Sequence, residues 1–322
     1  TNQFAVKAAS AGIARTVVGT NALPGTLLPF AGDSLPETTE IEPNNTAATA
    51  QRIDLPIIIN GRITAPGDVE VFQIEGRAGE EIVAEVLARR LNSPLDSILT
   101  VFDGAGQPLG RNDDFEDRAS GLNTHHADSY LRVKLPEDGK YFLHLADAQR
   151  EGGPEYGYRL RLSAPQPDFE LRAVPSSLSV RPGGSVPLRI VALRKEGFTN
   201  EIAITLQDAP RGFKLSGAQI PANCDQVRLT VTAPPSAAAK PVALQLEGRA
   251  LRDGTLVVHA VSPADDMMQA FFYRHLVPAQ ELQVLVSGWA QRATPQWAGK
   301  GPVQIPVGGT VGIEIGLPTS RA

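Results

Sequence analysis

Cysteine is nearly absent from this chain of 322 residues, because Cys224 is the only one. A single thiol cannot form an internal disulfide, and it excludes a metal site built from several cysteines. Long apolar runs are also missing, since no stretch approaches the roughly 20 residues that a transmembrane helix needs. The N-terminus lacks the apolar core of a signal peptide. We therefore expect no membrane span, and we expect a mature or trimmed product whose export signal has been removed.

An excess of positive charge is missing as well. The formal net charge is −5, and most of the acidic residues lie between residues 36 and 165. Acid concentrated in one region argues against nucleic acid as a partner and is compatible with a hard cation. A solvated surface without any ligand would give the same total, so the charge alone does not decide between the two.

Glycine and proline are abundant, with 30 and 26 residues, and they interrupt the chain at short intervals. This spacing favours many short strands joined by turns over long helices. The sequence predicts an all-β fold of tandem β-sandwiches with a short C-terminal β segment, which begins with a helical turn at residues 264–270. The predicted parts are a tail or upstream remnant at 1–35, a first sandwich at 36–165, a second at 166–262 and the C-terminal segment at 263–322.

Acidic and amide side chains are concentrated in two short stretches, EIEPNN at residues 40–45 and GDVEVF at residues 67–72. In extended chain, residues two apart share a side, so each stretch presents a pair of carboxylates on one side. Carboxylate and amide oxygens are the ligands that calcium prefers. The candidate ligands are Glu40, Glu42, Asn44, Asn45, Asp68 and Glu70. The alternative is that the two stretches never meet and the side chains remain solvated.

A series of motifs between residues 36 and 165 resembles the bacterial pre-peptidase C-terminal domain, which is similar to the collagen-binding domains of clostridial collagenases. The resemblance is carried by the two acidic stretches and by SPLDSIL at 93–99, GRNDD at 110–114, ADSYL at 127–131 and DGKYFL at 138–143. It implies a jelly-roll-like β-sandwich of a secreted or surface protein. Residues 168–262 resemble the immunoglobulin-like modules found beside such domains, through PSSLSVRPG at 175–183, GF at 197–198 and APRGF at 209–213.

In calcium-binding members of that family, the acidic linker and the start of the following strand supply ligands. The resemblance therefore implies a calcium site that includes Glu40, Glu42, Asn44, Asn45 and Asp68. Glu70 departs from the pattern, because the family more often has aspartate there, and this puts its contact with the ion in doubt.

Two other polar clusters have simpler interpretations. Asn112, Asp113, Asp114 and Asp117 either form a second cation site or are turn residues that bond local backbone, and the turn is favoured. Residues 125–129 contain the residue types of a hydrolase triad. Consecutive residues cannot form a triad, which is assembled from distant segments.

These patterns predict a non-catalytic, secreted or cell-surface module in which calcium fastens residues 40–45 to the first sandwich. The expected partner is an extracellular polymer or a surface protein. An alternative is a module, attached to a secreted hydrolase, that binds a carbohydrate or collagen-like polymer through Trp289 or Tyr158. A hydrolase that uses the region from His125 to Ser129 is the third hypothesis.

Overall fold

The computed structural model describes residues 12–18, 26–118, 121, 126–208, 210–236, 238, 240–269, 273–288, 296–298, 303–306 and 309–316. The chain divides into two compact units, Thr1–Pro167 and Asp168–Ala322. Nearly all regular structure in the described residues is β-strand, so the prediction of an all-β fold with sandwich domains is confirmed. Within those residues, no helix has the length and apolar content that crossing a bilayer requires.

The first unit contains two five-stranded sheets in its described part, with strand orders β10-β7-β12-β5-β3 and β4-β6-β11-β8-β9. A short 3₁₀ helix, Arg89–Leu91, follows β7. The strands are β1 (Gly12–Val18), β2 (Thr26–Gly32), β3 (Glu37–Thr39), β4 (Gln51–Arg52), β5 (Ile57–Arg62), β6 (Val69–Gly76), β7 (Glu81–Leu87), β8 (Ser97–Phe102), β9 (Pro108–Asn112), β10 (Tyr130–Lys134), β11 (Gly139–Asp147) and β12 (Gly157–Ser163).

The core of the first unit lies between these sheets. On β6, the alternating side chains of Phe72 and Ile74 belong to the core, and on β12 those of Tyr158 and Leu160 do. Glu70 precedes Phe72 by two residues, so it shares the face of β6 that turns towards the core. A carboxylate is thereby placed at the margin of an apolar interior.

Residues 37–52, which we call the bridging segment, connect the two sheets at one edge of the sandwich. The segment begins as β3, which pairs in parallel with β5 at the edge of the first sheet. It ends as β4, which pairs in parallel with β6 at the edge of the second sheet. Residues 40–50 therefore cross the open edge between the sheets, directly beside the start of β6.

The second unit has one hydrogen-bonded network of strands in its described residues, in the order β14-β23-β20-β21-β13-β15-β19-β17, with β16, β18 and β22 branching from it. A separate two-stranded sheet joins β24 and β25. The strands are β13 (Asp168–Val174), β14 (Ser177–Val180), β15 (Ser185–Lys195), β16 (Ile202–Gln207), β17 (Lys214–Ser216), β18 (Gln219–Ile220), β19 (Gln226–Thr232), β20 (Val242–Arg252), β21 (Thr255–Gln269), β22 (Tyr273–Pro278), β23 (Leu282–Val286), β24 (Gln296–Trp297) and β25 (Ile315–Gly316).

The second unit has its own apolar core. The fully buried side chains of Leu171, Leu188, Ile190, Leu229 and Val284 come from strands throughout the network and belong to one cluster. On β15, Leu188, Ile190 and Ala192 face this core, as the alternation in the sequence predicts. The unit therefore buries its hydrophobic surface without needing the core of the first unit.

The predicted helical turn at residues 264–270 is wrong for the residues described there. Residues 264–269 form the second half of β21, which pairs antiparallel with β22 from Ala264 opposite Pro278 to Gln269 opposite Tyr273. Cross-strand hydrogen bonding has overridden a weak helical pattern. The sequence also predicts a strand at residues 310–315, and of these residues only Ile315 lies in a strand, β25.

The N-terminal region, expected as a tail or the remnant of an upstream domain, contains a pair of strands in its described residues. β1 and β2 pair antiparallel from Gly12 opposite Gly32 to Val18 opposite Thr26. The long polar interval at residues 103–128 contains the short strand β9, which pairs with β8. The β1–β2 pair and β9 have only weak apolar alternation, and for that reason they were not predicted from the sequence.

Candidate metal centre

A tight turn places Asp68 at the start of β6. Gly67 has a φ of +82°, a backbone conformation that glycine adopts without strain. Asp68 then accepts hydrogen bonds through Oδ2 from the backbone N–H of Thr64 at 2.9 Å and from the Thr64 hydroxyl at 2.7 Å. Its carboxylate is thus held in one orientation by the turn that it closes.

The bridging segment places its polar side chains against the same strand. The backbone N–H of Val71 donates to the carbonyl of Asn44 at 3.0 Å, which ties the segment to β6. Glu42 Oε2 accepts the N–H of Asn44 at 2.9 Å. Asn45 Nδ2 donates to Asp68 Oδ1 at 2.5 Å. The two stretches that the sequence analysis singled out therefore lie in direct contact.

Three carboxylates converge at this contact. Glu42, Asp68 and Glu70 each offer an oxygen, and these oxygens all lie within 4.8 Å of one another. Calcium–oxygen distances are about 2.3–2.6 Å, so ligands on opposite sides of one ion are roughly 5 Å apart. One divalent cation can therefore contact all three oxygens, and this group can hold a metal ion.

Two side chains at this position are buried without a hydrogen-bond partner among the described residues. Glu70 has no exposed surface, and neither of its carboxylate oxygens is hydrogen-bonded. Asn44 is equally buried, and both its amide oxygen and its amide nitrogen lack partners. Native proteins seldom leave such groups unsatisfied, since each costs about 1–3 kcal/mol, and more when the group is charged. A cation beside them would satisfy the oxygens.

The electrostatics of the group are unfavourable without a cation. Burial, and then the neighbouring charge of Glu40, raise the pKa of Glu70 to about 8, with smaller contributions from Glu42 and Asp68. The Asn44 amide lies close enough to lower the pKa of Glu70 and so offsets part of this rise, although the two side chains do not meet the geometry of a hydrogen bond. Burial likewise raises the pKa of Glu40. A divalent ion would reverse this balance, because it stabilises the ionised form of every carboxylate around it.

Glu40 lies beside the three carboxylates but is already hydrogen-bonded. Its Oε1 accepts the N–H of Arg62 at 2.7 Å, and its Oε2 accepts the hydroxyl of Tyr158 at 2.6 Å. Burial and the nearby carboxylates raise the pKa of Tyr158 above its usual range, so its hydroxyl remains a donor. Gly61 makes this contact possible, because a Cβ there would lie 2.0 Å from Glu40 Oε2 and 2.3 Å from the Tyr158 oxygen.

The six residues singled out from the sequence thus have different surroundings. Glu42, Asp68 and Glu70 form the carboxylate group, and Asn44 adds a buried amide oxygen beside it. Glu40 and Asn45 are neighbours that hydrogen-bond to Tyr158 and to Asp68 respectively.

Tyr158 does not suit the role of an exposed polymer contact. It is 5% exposed and belongs to the core of the first unit. Trp289, the other expected contact, lies outside the described residues. Tyr158 is therefore too buried to be such a contact, and an extracellular polymer as partner stays a prediction.

The remaining polar clusters serve local structure. Asn112 Nδ2 donates to the carbonyl of Asp114 at 2.9 Å, and Asn112 Oδ1 accepts the N–H of Tyr130 at 2.9 Å. Asp113 Oδ1 accepts the N–H of Asp114 at 3.1 Å, and Asp117 pairs with Arg90 at 3.5 Å. These contacts fit turn residues better than a second cation site.

The triad-like stretch is also structural where it is described. Asp128 accepts the backbone N–H groups of Ala88, Arg89 and Arg90 at 2.6–3.1 Å. The Ser129 hydroxyl is buried against Ser97. His125 lies outside the described residues.

Several residues that shape the site are not predicted from the sequence. Thr64 and Arg62 each donate a hydrogen bond to a candidate ligand, Asp68 and Glu40 respectively, and Gln51 accepts the N–H of Ile41 between two candidate ligands. None of the three stands out from sequence, because these types occur throughout strands and turns. Gly61 carried a usable signal, since an isolated glycine within a strand pattern often marks a close approach of another group.

No protein-family model matches the chain. A probable subtilase-type serine protease of Deinococcus radiodurans is 38% identical to it over 113 residues. The match covers 33% of this chain and 14% of that protein, so the chain matches far less than two thirds of the relative's length. The chain is therefore similar to a limited part of a protein that is named as a protease.

Proposed function

We propose that the chain is a non-catalytic accessory module of a secreted protein, and that its first unit is a calcium-binding domain of the pre-peptidase C-terminal type. In this proposal the second unit is an immunoglobulin-like sandwich. The partial likeness to a subtilase-type protease supports attachment to a secreted hydrolase. The ordered motifs between residues 36 and 165 support the domain type.

The observation that carries the calcium proposal is the buried, unpartnered pair of Glu70 and Asn44 beside Glu42 and Asp68. Acidic clusters are common on surfaces, but a fully buried carboxylate without a hydrogen bond needs a compensating charge in order to ionise. The donors are all oxygens, which hard cations prefer, and no cysteine or histidine belongs to this group of described residues. Calcium accepts six to eight oxygens in flexible geometry, which suits a site shared between a strand and a crossing segment.

The expected role of calcium is to fasten residues 42–50, which include Glu42 and Asn44, across the edge of the sandwich. Extracellular calcium modules bind with dissociation constants of about 10⁻⁴–10⁻³ M. At roughly millimolar calcium, mass action then adds about 0.4–1.4 kcal/mol to the stability of the folded state. The ion would consequently order these residues rather than decide whether the sandwich folds.

Calorimetric titration of calcium into chelator-treated protein tests this function. We expect one ion per chain for the wild type, and at least tenfold weaker binding for Glu42→Gln and for Asp68→Asn. Glu81→Gln is the matched control, because it removes a carboxylate from the same sandwich on β7, where Glu81 pairs with Arg132. Equal heats from all four proteins would show that calcium does not bind at Glu42 and Asp68.

The non-catalytic part of the proposal has a separate test. We expect a panel of ester and peptide substrates to give no turnover above background, and Ser129→Ala to change nothing. Turnover that Ser129→Ala abolishes would overturn it.

A further inference from the structure

The bridging segment is attached to the first sheet by an ion pair outside the carboxylate group. Arg159 Nη2 donates to Glu37 Oε1 at 2.7 Å, and Arg159 Nη1 donates to Glu37 Oε2 at 2.8 Å. The Arg159 side chain is only 10% exposed, and Asn60 completes the contact by donating to Glu37 Oε2 at 3.0 Å. A two-point, partly desolvated pair of this kind has the geometry in which an ion pair contributes to stability.

Backbone hydrogen bonds reinforce this attachment. The N–H of Ile58 donates to the carbonyl of Pro36 at 2.8 Å, and the N–H of Glu40 donates to the carbonyl of Asn60 at 3.1 Å. These bonds enclose β3, which lies parallel to β5. The bridging segment is thus fixed from its start to Glu40, ahead of Glu42 and Asn44.

Gln51 closes the stretch from its other end. Its Oε1 accepts the N–H of Ile41 at 2.8 Å, and its Nε2 donates to the carbonyl of Thr39 at 3.2 Å. One neutral side chain at the start of β4 therefore joins the last residues of the segment to the first. Neither bond involves Glu42, Asp68 or Glu70.

We infer that Glu37, Arg159 and Gln51 are positioning residues that preorganise the calcium site. This inference rests on the proposed function and assigns these residues an effect on affinity through Glu42 and Asn44. In the absence of the ion, β3 stays docked and the loop from Ile41 to Gln51 stays closed at its base, so calcium has only residues 42–50 to order. Preorganisation strengthens binding because less conformational entropy is lost when the ligand enters.

Two measurements on the full chain test the inference. Titration of calcium should give about 3- to 10-fold weaker binding for Glu37→Gln and for Gln51→Ala, with one ion bound per chain in each. Arg159→Lys, which keeps the charge and loses the two-point contact, should lie between Glu37→Gln and the wild type. Glu81→Gln, which breaks an ion pair between β7 and β10, should bind like the wild type.

Amide hydrogen exchange in chelator supplies the readout that a general loss of stability would not reproduce. The Glu40 amide should stay protected in the wild type without calcium and should lose protection in Glu37→Gln, while amides of β11 keep theirs in both. Wild-type affinity in Glu37→Gln and Gln51→Ala would overturn the inference, and so would a freely exchanging Glu40 amide in the calcium-free wild type.

The same data separate this inference from the proposed function. If the wild-type protein gives no heat with calcium, the proposed function is wrong, and so is the proposed effect of Glu37 and Gln51 on calcium affinity. The exchange pattern in chelator still reports whether Glu37 anchors β3. Tight calcium binding that is indifferent to Glu37 and Gln51 leaves the proposed function standing and removes the positioning role alone.

Discussion

Glu70 is a buried carboxylate with no described hydrogen-bond donor, and its protonation state links the site to pH. Burial and the charge of Glu40 raise its pKa from an ordinary 4.5 to about 8. Between these two pH values the unfolded chain releases a proton that the calcium-free folded chain retains. The contribution of Glu70 to stability without calcium therefore falls as the pH rises from about 4.5 to about 8, and it is highest at the acidic end of this range.

The variant Glu70→Gln should remove this dependence in chelator. The pKa difference sets an upper bound of about 5 kcal/mol at pH 8, and we expect a gain of about 1–3 kcal/mol because the site relaxes when its carboxylates ionise. Chemical denaturation at pH 5 and at pH 8 measures the difference. Calcium affinity of the wild type should rise over the same range, because the ion binds the deprotonated form.

The ion pair between Glu81 and Arg132, which lies outside the carboxylate group, supplies the control for this measurement. Glu81→Gln should leave the slope of stability against pH unchanged, since the site and its charges are intact. A Glu70→Gln protein that is less stable than the wild type in chelator at pH 8 would contradict the argument.

Substitution of Gly61 should affect both the stability of the first unit and its calcium binding. A methyl group there would overlap Glu40 Oε2 and the ring end of Tyr158. Glu40 can rotate away, but Tyr158 is part of the core and cannot. We expect Gly61→Ala to destabilise the first unit by about 1–3 kcal/mol and to weaken calcium binding. Gly139→Ala on β11 is the control, because a Cβ at that position meets nothing within 4 Å.

The sequence predicts candidate ligands better than the groups that hold them. Period-two spacing alone pairs Glu40 with Glu42 and Asp68 with Glu70, so the carboxylates were accessible to sequence reasoning. Tyr158 is 118 positions away from Glu40, and Arg159 is 122 positions away from Glu37. Contacts between such distant residues depend on the order of strands in the sheet, which no local pattern encodes.

At the scale of elements, Asp128 organises the end of β7. Its carboxylate accepts three successive backbone N–H groups at the 3₁₀ helix and also pairs with Arg90 Nε at 2.7 Å. Asp128→Ala would leave the three N–H groups without their acceptor and would remove one of the carboxylates around the largely buried guanidinium of Arg90, which keeps Glu85 and Asp117. We expect a loss of about 2–4 kcal/mol in the free energy of unfolding, measured by denaturant titration.

Asp103→Ala provides the comparison for that loss. Asp103 Oδ1 also accepts two backbone N–H groups, those of Ala105 and Gln107, but in an exposed turn. Water replaces the missing acceptor there, so we expect a loss of about 0.5–1 kcal/mol. Equal losses at the two positions would mean that burial does not set the cost.

Strands were predictable where apolar alternation runs over five or more residues. The sequence predicts strands at 57–63, 97–102, 158–162 and 226–231. β8 has the predicted bounds, β5 and β19 each differ by one residue at one end, and β12 is one residue longer at both ends. The short edge strands β3, β4 and β9 were missed, because Glu37–Thr39, Gln51–Arg52 and Pro108–Asn112 have little apolar character. Such strands form because a neighbouring edge supplies hydrogen-bond partners, which is a property of the sheet rather than of the segment.

At the scale of the whole molecule, each unit buries its own core. Leu99 belongs to the first core and Leu229 to the second, and neither has exposed surface. The candidate ligands all belong to the first unit. Calcium binding should therefore act on the stability of one core and leave the other unaffected.

Scanning calorimetry of the full chain tests this separation. We expect Leu99→Ala and Leu229→Ala each to lower a different unfolding transition, since each creates a cavity that costs about 2–5 kcal/mol. One of the two transitions is the one that Leu99→Ala lowers, and millimolar calcium should raise the midpoint of that transition. The expected rise is about 1–5 °C, the shift that 0.4–1.4 kcal/mol produces in a unit of this size. Glu42→Gln should abolish the shift. An equal rise in both transitions, still present in Glu42→Gln, would mean that the stabilising ion binds outside the first unit's carboxylate group.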